Sequence, residues 1–262
     1  MMGALSTAAT GMDANQVMID IIANNLANVN TTGFKKSRGN FQDLLYHTIR
    51  AAGTSTAQGF ENPTGLQIGQ GTRAVSTQRL FSQGEYKNTQ NPLDIAIEGQ
   101  GFFQISSPTG EALYTRSGDF KTNSQGQLVT ADGYPVEPAI TIPNDALSVT
   151  IGEDGTVSVM QAGQTDAQQV GTLQVVSFVN PAGLEPTGHG YYRPSTASGA
   201  AQPGTAGQNG LGTLAQGYLE TSNVKVVEEM IDMIAGQRAY ELNSKVIQTA
   251  DSMLRTVSQL KG

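Results

Sequence analysis

Hydrophobic residues near the C-terminal end of the chain recur at steps of mostly three and four. The set comprises Val227, Ile231, Ala235, Ala239, Leu242, Val246, Thr249, Met253, Val257 and Leu260. This spacing keeps one apolar stripe on one side of a helix, as in helices that pack along a partner helix. Acidic residues come early and basic residues late, which suits the helix dipole. The pattern predicts one helix over 223–260, about 55 Å long at ~1.5 Å per residue.

The N-terminal segment 4–29 has the same periodicity and predicts a second helix. Its stripe comprises Leu5, Ala8, Met12, Asn15, Ile19, Ile22 and Leu26. Asp13 and Asp20 are its only charged residues, whereas a surface helix of a monomer usually carries a charged outer face. We therefore expect the two terminal helices to pair as a coiled coil and to be enclosed by neighbours. The alternative is a helix buried within one globular core.

The first helix ends in a stretch rich in asparagine. Asn24, Asn25 and Asn28 precede Gly33, and Asn and Gly both tolerate the left-handed backbone that stops a helix. An amide on a helix can be a ligand or a catalytic group. More often it forms an interhelical hydrogen bond that fixes register.

Between the helices the pattern changes to alternation at period two, which indicates β-strands. The residues around 93–97, 101–105 and 173–179 alternate in this way, and two strands flank a turn at Asp154-Gly155. The glycine- and serine-rich stretches 51–63 and 194–213 are predicted as loops.

The predicted class is therefore α+β, with an all-β domain inserted between two halves of a coiled coil. The predicted division has four parts: 1–33, the N-terminal helix; 34–75, an extended hairpin connector; 76–215, an outer β domain; and 216–262, the C-terminal helix.

Charge is concentrated in the β segment. Residues 76–215 hold twelve acidic and five basic side chains, and the whole chain has a net charge of −7. An acidic surface argues against nucleic acid as a partner. The sequence contains no cysteine, which excludes disulfides and thiolate metal sites. We expect no membrane insertion and no cleaved signal peptide, since residues 1–26 lack a basic region followed by a continuous apolar run.

Candidate chemistry is sparse, and the sequence predicts no enzyme, no cofactor and no metal. Neither His47 nor His189 has a ligand at metal-binding spacing. Two acidic pairs could be imagined as the carboxylates of a glycosidase: Asp94 with Glu98, and Asp119 with Asp132. In so acidic a segment these side chains are better interpreted as a solvated surface.

Several motifs together resemble the flagellar basal-body rod and hook family. They are NNLANVNTTGFK at 24–35, GQGFF at 99–103, YTRSGDF at 114–120, ETSNV at 220–224, VEEM at 227–230 and QRAYELNSK at 237–245. They cover the whole chain in the family's order. The connector motifs at 41–50 and 65–71, with the chain length, are most similar to the distal-rod branch. The proximal-rod branch is the nearest alternative, and a hook protein would be longer.

The resemblance implies a structural axial subunit that stacks helically into a hollow shaft and carries motor torque to the hook. Implied partners are further copies of the chain, proximal rod and hook proteins at the ends, P-ring and L-ring proteins around it, and the flagellar export apparatus. The implied location is the basal-body rod in the periplasm. A cell-wall-binding or cell-wall-cleaving β-protein that oligomerises through its helices is the alternative from another class.

Residues of both terminal helices are expected to form the subunit interface. The expected residues are Leu5, Met12, Ile19, Ile22, Asn24, Asn25, Leu26, Asn28, Val227, Ile231, Leu242, Val246, Met253 and Val257.

Overall fold

The structure is a computed structural model that describes residues 2–53, 55–56, 60–61, 63–163 and 166–261. Within these residues two α-helices lie at the ends of the chain and 22 β-strands lie between them. The α+β class is confirmed. The chain divides into two compact units. The helical unit holds the described residues of Met1–Ala27, Ser37–Gln78 and Lys225–Gly262, and the β-unit holds Asn28–Lys36 and Arg79–Val224.

The helical unit is built on α1 (Met2–Ala27) and α2 (Val226–Lys261). α2 begins three residues later than predicted, because the amide of Asn223 bonds to neighbouring backbone in the β-unit. The first helical hydrogen bond runs from the N–H of Glu229 to the carbonyl of Lys225. The side chain of Leu260, the last residue of the predicted stripe, lies outside the described side chains.

The two helices contact each other in opposite chain directions. Asn25 of α1 lies against Glu229 of α2, and a Cβ at Gly236 would lie 3.3 Å from Ile19. Towards the start of α1, a Cβ at Gly11 would lie 2.9 Å from Asn243. Residue numbers thus fall along α1 as they rise along α2, so the helices are antiparallel.

The rest of the helical unit is a long hairpin of nested strand pairs. Its strands are β1 (Ser37–Asp43), β2 (Tyr46–Arg50), β3 (Ser55–Thr56), β4 (Phe60–Glu61), β5 (Leu66–Gly69) and β6 (Thr72–Arg79). β1 pairs with β6, β2 with β5 and β3 with β4. Of the loop predicted at 51–63, residues 54, 57–59 and 62 lie outside the described residues.

The β-unit contains the remaining strands. They are β7 (Tyr86–Asn88), β8 (Ile95–Glu98), β9 (Phe102–Ser106), β10 (Ala112–Thr115), β11 (Lys121–Thr122), β12 (Leu128–Val129), β13 (Val136–Glu137), β14 (Ala146–Ile151), β15 (Thr156–Gln161), β16 (Gln168–Thr172), β17 (Gln174–Ser177), β18 (Glu185–Gly188), β19 (Tyr191–Arg193), β20 (Gln202–Thr205), β21 (Thr213–Gln216) and β22 (Tyr218–Glu220). A short 3₁₀-helix (Pro181–Gly183) precedes β18.

The largest sheet of the β-unit has the order β18-β19-β10-β9-β17-β20, with β13 also paired to β9. A second sheet has the order β14-β15-β16. Its first hairpin confirms the prediction at Asp154-Gly155, since Ile151 pairs with Val157 and Val149 with Val159. The predicted loop at 194–213 instead contains β20. This strand lies at an edge of the sheet, where its proline is tolerated.

The core of the β-unit lies on both sides of β9. Phe103 and Ile105 belong to the larger cluster of buried side chains, while Phe102 belongs to a smaller aromatic one. This division follows from the period of two along a strand. In the smaller cluster, Phe102 contacts Phe178 and Tyr192 edge to face.

Candidate assembly interface

The predicted interface residues of α1 are mostly covered. Ile22 is 5% exposed. Ile19 lies against Gly236 of α2 and also lines a notch of about 220 Å³ with Gln16, Gln237, Tyr240 and Glu241. Leu5, Met12 and Leu26 are half-buried, and Asn24 is exposed. The apolar stripe of α1 therefore includes the face that α2 contacts.

Asn25 is the centre of a buried polar group in the helical unit. Its Nδ2 donates to Glu229 Oε2 at 3.1 Å and to the carbonyl of Ser37 at 2.9 Å. Its Oδ1 accepts the backbone N–H of Ser37 at 2.9 Å. Asn25 and Glu229 are 1% and 3% exposed. One amide therefore joins α1, α2 and the start of β1, which is the register-fixing role that the sequence predicted for an interhelical asparagine.

Asn28 belongs to the β-unit rather than to the helical unit. It lies beyond the end of α1, where its carbonyl accepts the N–H of Thr31 and its Oδ1 accepts the hydroxyl of Thr31 at 3.2 Å. These bonds form a turn. Asn28 is therefore the one predicted interface residue that is assigned to the β-unit.

The six predicted residues of α2 are exposed in the single chain. Val227, Ile231, Leu242, Val246, Met253 and Val257 are 46–70% exposed. Among the described side chains of α2 the buried residues are Glu229, Gly236 and Ala250. Most of the stripe that dominates the sequence of α2 is thus left uncovered by α1 in the single chain. Heptad spacing identifies an apolar face but does not identify the helix that covers it.

Five further exposed apolar residues of α2 were not predicted as interface residues. They are Val226, Met230, Ile234, Tyr240 and Leu254, and they widen the apolar surface beyond a single stripe. These residues were missed because only one residue was assigned to the stripe at each step of three or four.

The hairpin is a second apolar surface of the helical unit, and none of its side chains is among the predicted interface residues. Seven of its large apolar side chains are exposed: Phe41, Leu45, Tyr46, Ile49, Leu66, Ile68 and Val75. Leu45 reaches 85%. Large exposed apolar patches commonly mark protein interaction sites.

The β-unit holds the two acidic pairs considered from the sequence. Asp119 and Asp132 line one open cleft of about 160 Å³, together with hydroxyl side chains and His189. The Tyr191 hydroxyl donates to Asp132 Oδ2 at 2.5 Å, and this bond lowers the pKa of Asp132. Asp94 is buried and accepts from Asn91, whereas Glu98 is exposed. Among the described residues no group of three acidic or histidine side chains could hold a metal ion.

A buried ion cluster in the β-unit was not predicted. Glu220 accepts from Lys35 Nζ at 2.6 Å and from Arg116 Nε at 2.5 Å, and all three side chains are at most 5% exposed. Burial by itself would raise the pKa of Glu220. The neighbouring charges of Arg116 and Lys35 outweigh burial and hold that pKa below its ordinary value. Each residue belongs to a different motif of the resemblance described above, so these motifs meet at one carboxylate.

Three family models match the chain in succession. They are described as a flagella basal body rod protein (residues 5–35), a flagellar hook protein FlgE/F/G D1 domain (96–159) and a flagellar basal body rod FlgEFG protein C-terminal region (215–260). No described helix is long and apolar enough to span a membrane.

Curated relatives match along the full chain. The flagellar basal-body rod protein FlgG of Buchnera aphidicola (from Schizaphis graminum) is 49% identical over 99% of this chain and 100% of its own. That of Caulobacter vibrioides is 50% identical with the same coverage. That of Bacillus subtilis is 41% identical over 100% of both chains.

Proposed function

The chain belongs to the flagellar basal-body rod protein family, with a structural role in the distal rod, and from this premise we propose that it polymerises helically into a hollow drive shaft. This shaft carries motor torque to the hook and is needed for flagellum-dependent motility. The observation that supports polymerisation best is the apolar face of α2. Ten of its large non-aromatic apolar side chains are more than a third exposed: Val226, Val227, Met230, Ile231, Ile234, Leu242, Val246, Met253, Leu254 and Val257.

Burial of this face by other copies is the main driving force in the proposal. Fully burying a large aliphatic side chain is worth roughly 1.5–3 kcal/mol. The ten exposed side chains therefore provide a gain that the single chain leaves unused. In the polymer α1 and α2 of one subunit form a coiled coil, and the face of α2 packs on helices of neighbouring copies to form the inner tube.

The hairpin and the β-unit have separate roles in the proposal. The exposed apolar side chains of the hairpin contact adjacent subunits and stiffen the shaft. The β-unit is the inserted outer domain, and its excess of acidic side chains keeps the outer surface soluble.

The proposed partners at the ends of the shaft are proximal rod and hook proteins, and P-ring and L-ring proteins surround it. The flagellar export apparatus delivers the chain without cleaving a signal peptide. The shaft uses no cofactor and no catalytic residue. The location that follows from the family is the flagellar basal body.

Electron microscopy of the purified, polymerised protein tests the proposal. We expect a hollow filament in which Leu242 and Ile231 are covered by a neighbouring copy. A filament in which this face of α2 remains open to solvent would contradict the assigned interface. A protein that stays monomeric at all concentrations, with α2 folded, would contradict polymerisation itself.

A further inference from the structure

Two segments of the β-unit are next to the terminal helices in the chain, while the chain also leaves this unit after Lys36 for the hairpin and returns at Arg79. The incoming segment, 33–36, follows α1 in the chain, and the outgoing segment, 220–223, precedes α2. Any tension between the two ends of the chain therefore reaches the β-unit through these segments once the terminal helices have separated.

The incoming and outgoing segments lie side by side. The N–H of Gly33 donates to the carbonyl of Glu220 at 2.9 Å, and the N–H of Asn223 donates to the carbonyl of Phe34 at 3.4 Å. The N–H of Lys36 donates to Asn223 Oδ1 at 2.7 Å. Residue numbers rise together in both segments, so the segments are parallel.

The buried ion cluster fastens the same two segments to each other and to the core. Lys35 of the incoming segment bonds to the carboxylate of Glu220 in the outgoing one. Glu220 also binds Arg116, whose guanidinium donates to the carbonyls of Ile97 and Gly101 at 2.9 and 2.6 Å. Sliding one segment past the other would break these bonds in a buried environment, where unpaired charges are strongly unfavourable.

We propose that segments 33–36 and 220–223, with their bonds to Arg116, form a shear clamp that holds the β-unit folded under tension. Tension pulls the incoming segment by its N-terminal end and the outgoing segment by its C-terminal end. Because the segments are parallel, the two forces point in opposite directions along a common axis. The two backbone bonds, the bond from the Lys36 N–H to the Asn223 side chain and the Lys35–Glu220 pair then share the force and must break together.

Pulling on the neighbouring segment 79–85 loads the same unit in a different direction. It is antiparallel to the outgoing segment, since Asn223 Nδ2 donates to the carbonyl of Leu80 and the N–H of Thr221 donates to the carbonyl of Glu85. Force applied at Arg79 and Val224 would pull at adjacent ends of these segments. Bonds would then open one after another, as in peeling.

Single-molecule pulling on the full chain tests the clamp. The chain has no cysteine, so introduced cysteines give unique handles. One protein carries Gly3→Cys and the other Ala52→Cys, both at exposed positions, and both share a cysteine added after the C-terminal residue. The first pair loads the parallel segments in shear, and the second loads Arg79 against Val224. We expect the β-unit to unfold at about two-fold higher force in the first protein, since forced unfolding reports the barrier along the pulled direction.

Three variants separate the clamp from general stability. Glu220→Gln should lower the shear force more than the peeling force and so narrow the difference between the two directions, although Glu220 also accepts the N–H of Gly84 in segment 79–85 at 2.8 Å. Ile105→Val, in the core and away from the clamp, should lower both forces by the same factor. The exposed Glu185→Gln is the charge-matched control and should change neither. Equal unfolding forces in the two directions for the unsubstituted clamp would overturn the proposal, whether or not Glu220→Gln folds.

In a shaft under torque the clamp would keep the β-unit intact, and that physiological role rests on the proposed function. The pulling experiment uses single molecules. A failure of polymerisation therefore leaves its result unchanged, and a failure of the clamp leaves the polymerisation test unchanged.

Discussion

Leu242 offers the most direct test of the proposed interface, because it is apolar, on the exposed face of α2 and 62% exposed in the single chain. Complete burial of a leucine side chain is worth roughly 1.5–3 kcal/mol, so covering the exposed part contributes roughly 1–2 kcal/mol. Leu242→Ala should therefore raise the critical concentration for assembly about 5- to 30-fold.

Leu242→Asp places a carboxylate at the same position, which a neighbouring copy covers in the proposed assembly. An uncompensated buried charge costs about 3–5 kcal/mol, so assembly should weaken by about two to four orders of magnitude and be lost at ordinary concentrations. The stability of the single chain should change by less than ~0.5 kcal/mol, because the site is exposed there. Pelleting and electron microscopy measure assembly, and urea unfolding measures stability.

Ile22 is the matched control on α1, since it is 5% exposed in the single chain. Ile22→Ala should destabilise the single chain by about 2–5 kcal/mol, and Ile22→Asp should abolish assembly by disrupting the helix pair itself. If Leu242→Asp assembles at an unchanged critical concentration, the assigned face of α2 is wrong. If Leu242→Asp destabilises the single chain as much as Ile22→Ala does, the apolar face of α2 is packed within the subunit.

Three further predictions concern single side chains. The pKa of Glu220 is lower in the folded chain than in the unfolded one. Its contribution to stability is therefore complete above its ordinary pKa of about 4.3 and is lost as pH falls through the folded pKa. Glu220→Gln should reduce the pH dependence of the urea unfolding midpoint over this acid range. Asn25→Ala should cost about 1–3 kcal/mol in urea unfolding, whereas Gln16→Ala on the exposed surface of α1 should change stability by less than ~0.5 kcal/mol. Asp132→Asn should leave assembly unchanged. Neither the variant nor the parent protein should cleave or retain peptidoglycan. A parent protein that does so, and loses this activity on Asp132→Asn, would support the cell-wall alternative.

Sequence periodicity was sufficient for the local elements. The stripe of α1 and the hairpin at Asp154-Gly155 depend on neighbours within a few residues or on one continuous face. β20 was missed because proline and glycine weaken the strand pattern, and its pairing with β17 compensates only in the folded sheet.

The partners of these elements could not be predicted by the same reasoning. The apolar spacing of α2 identified Leu242 and its neighbours, but the residues that contact α1 include polar Glu229 and Gly236. No periodic signal relates Lys35 to Glu220, which are 185 residues apart. Their convergence depends on the path of the whole chain.

The separation of 185 residues between Lys35 and Glu220 in the chain determines the order in which the β-unit can fold. Until Glu220 has been synthesised, the preceding chain contains Lys35 and Arg116 but not the carboxylate that balances them in the core. Burying two cations without it would cost several kcal/mol each, and contacts of such long range form late. We therefore expect the β-unit of a nascent chain to stay open until nearly the whole polypeptide exists, and a chain truncated before Glu220 to lack a stable closed form.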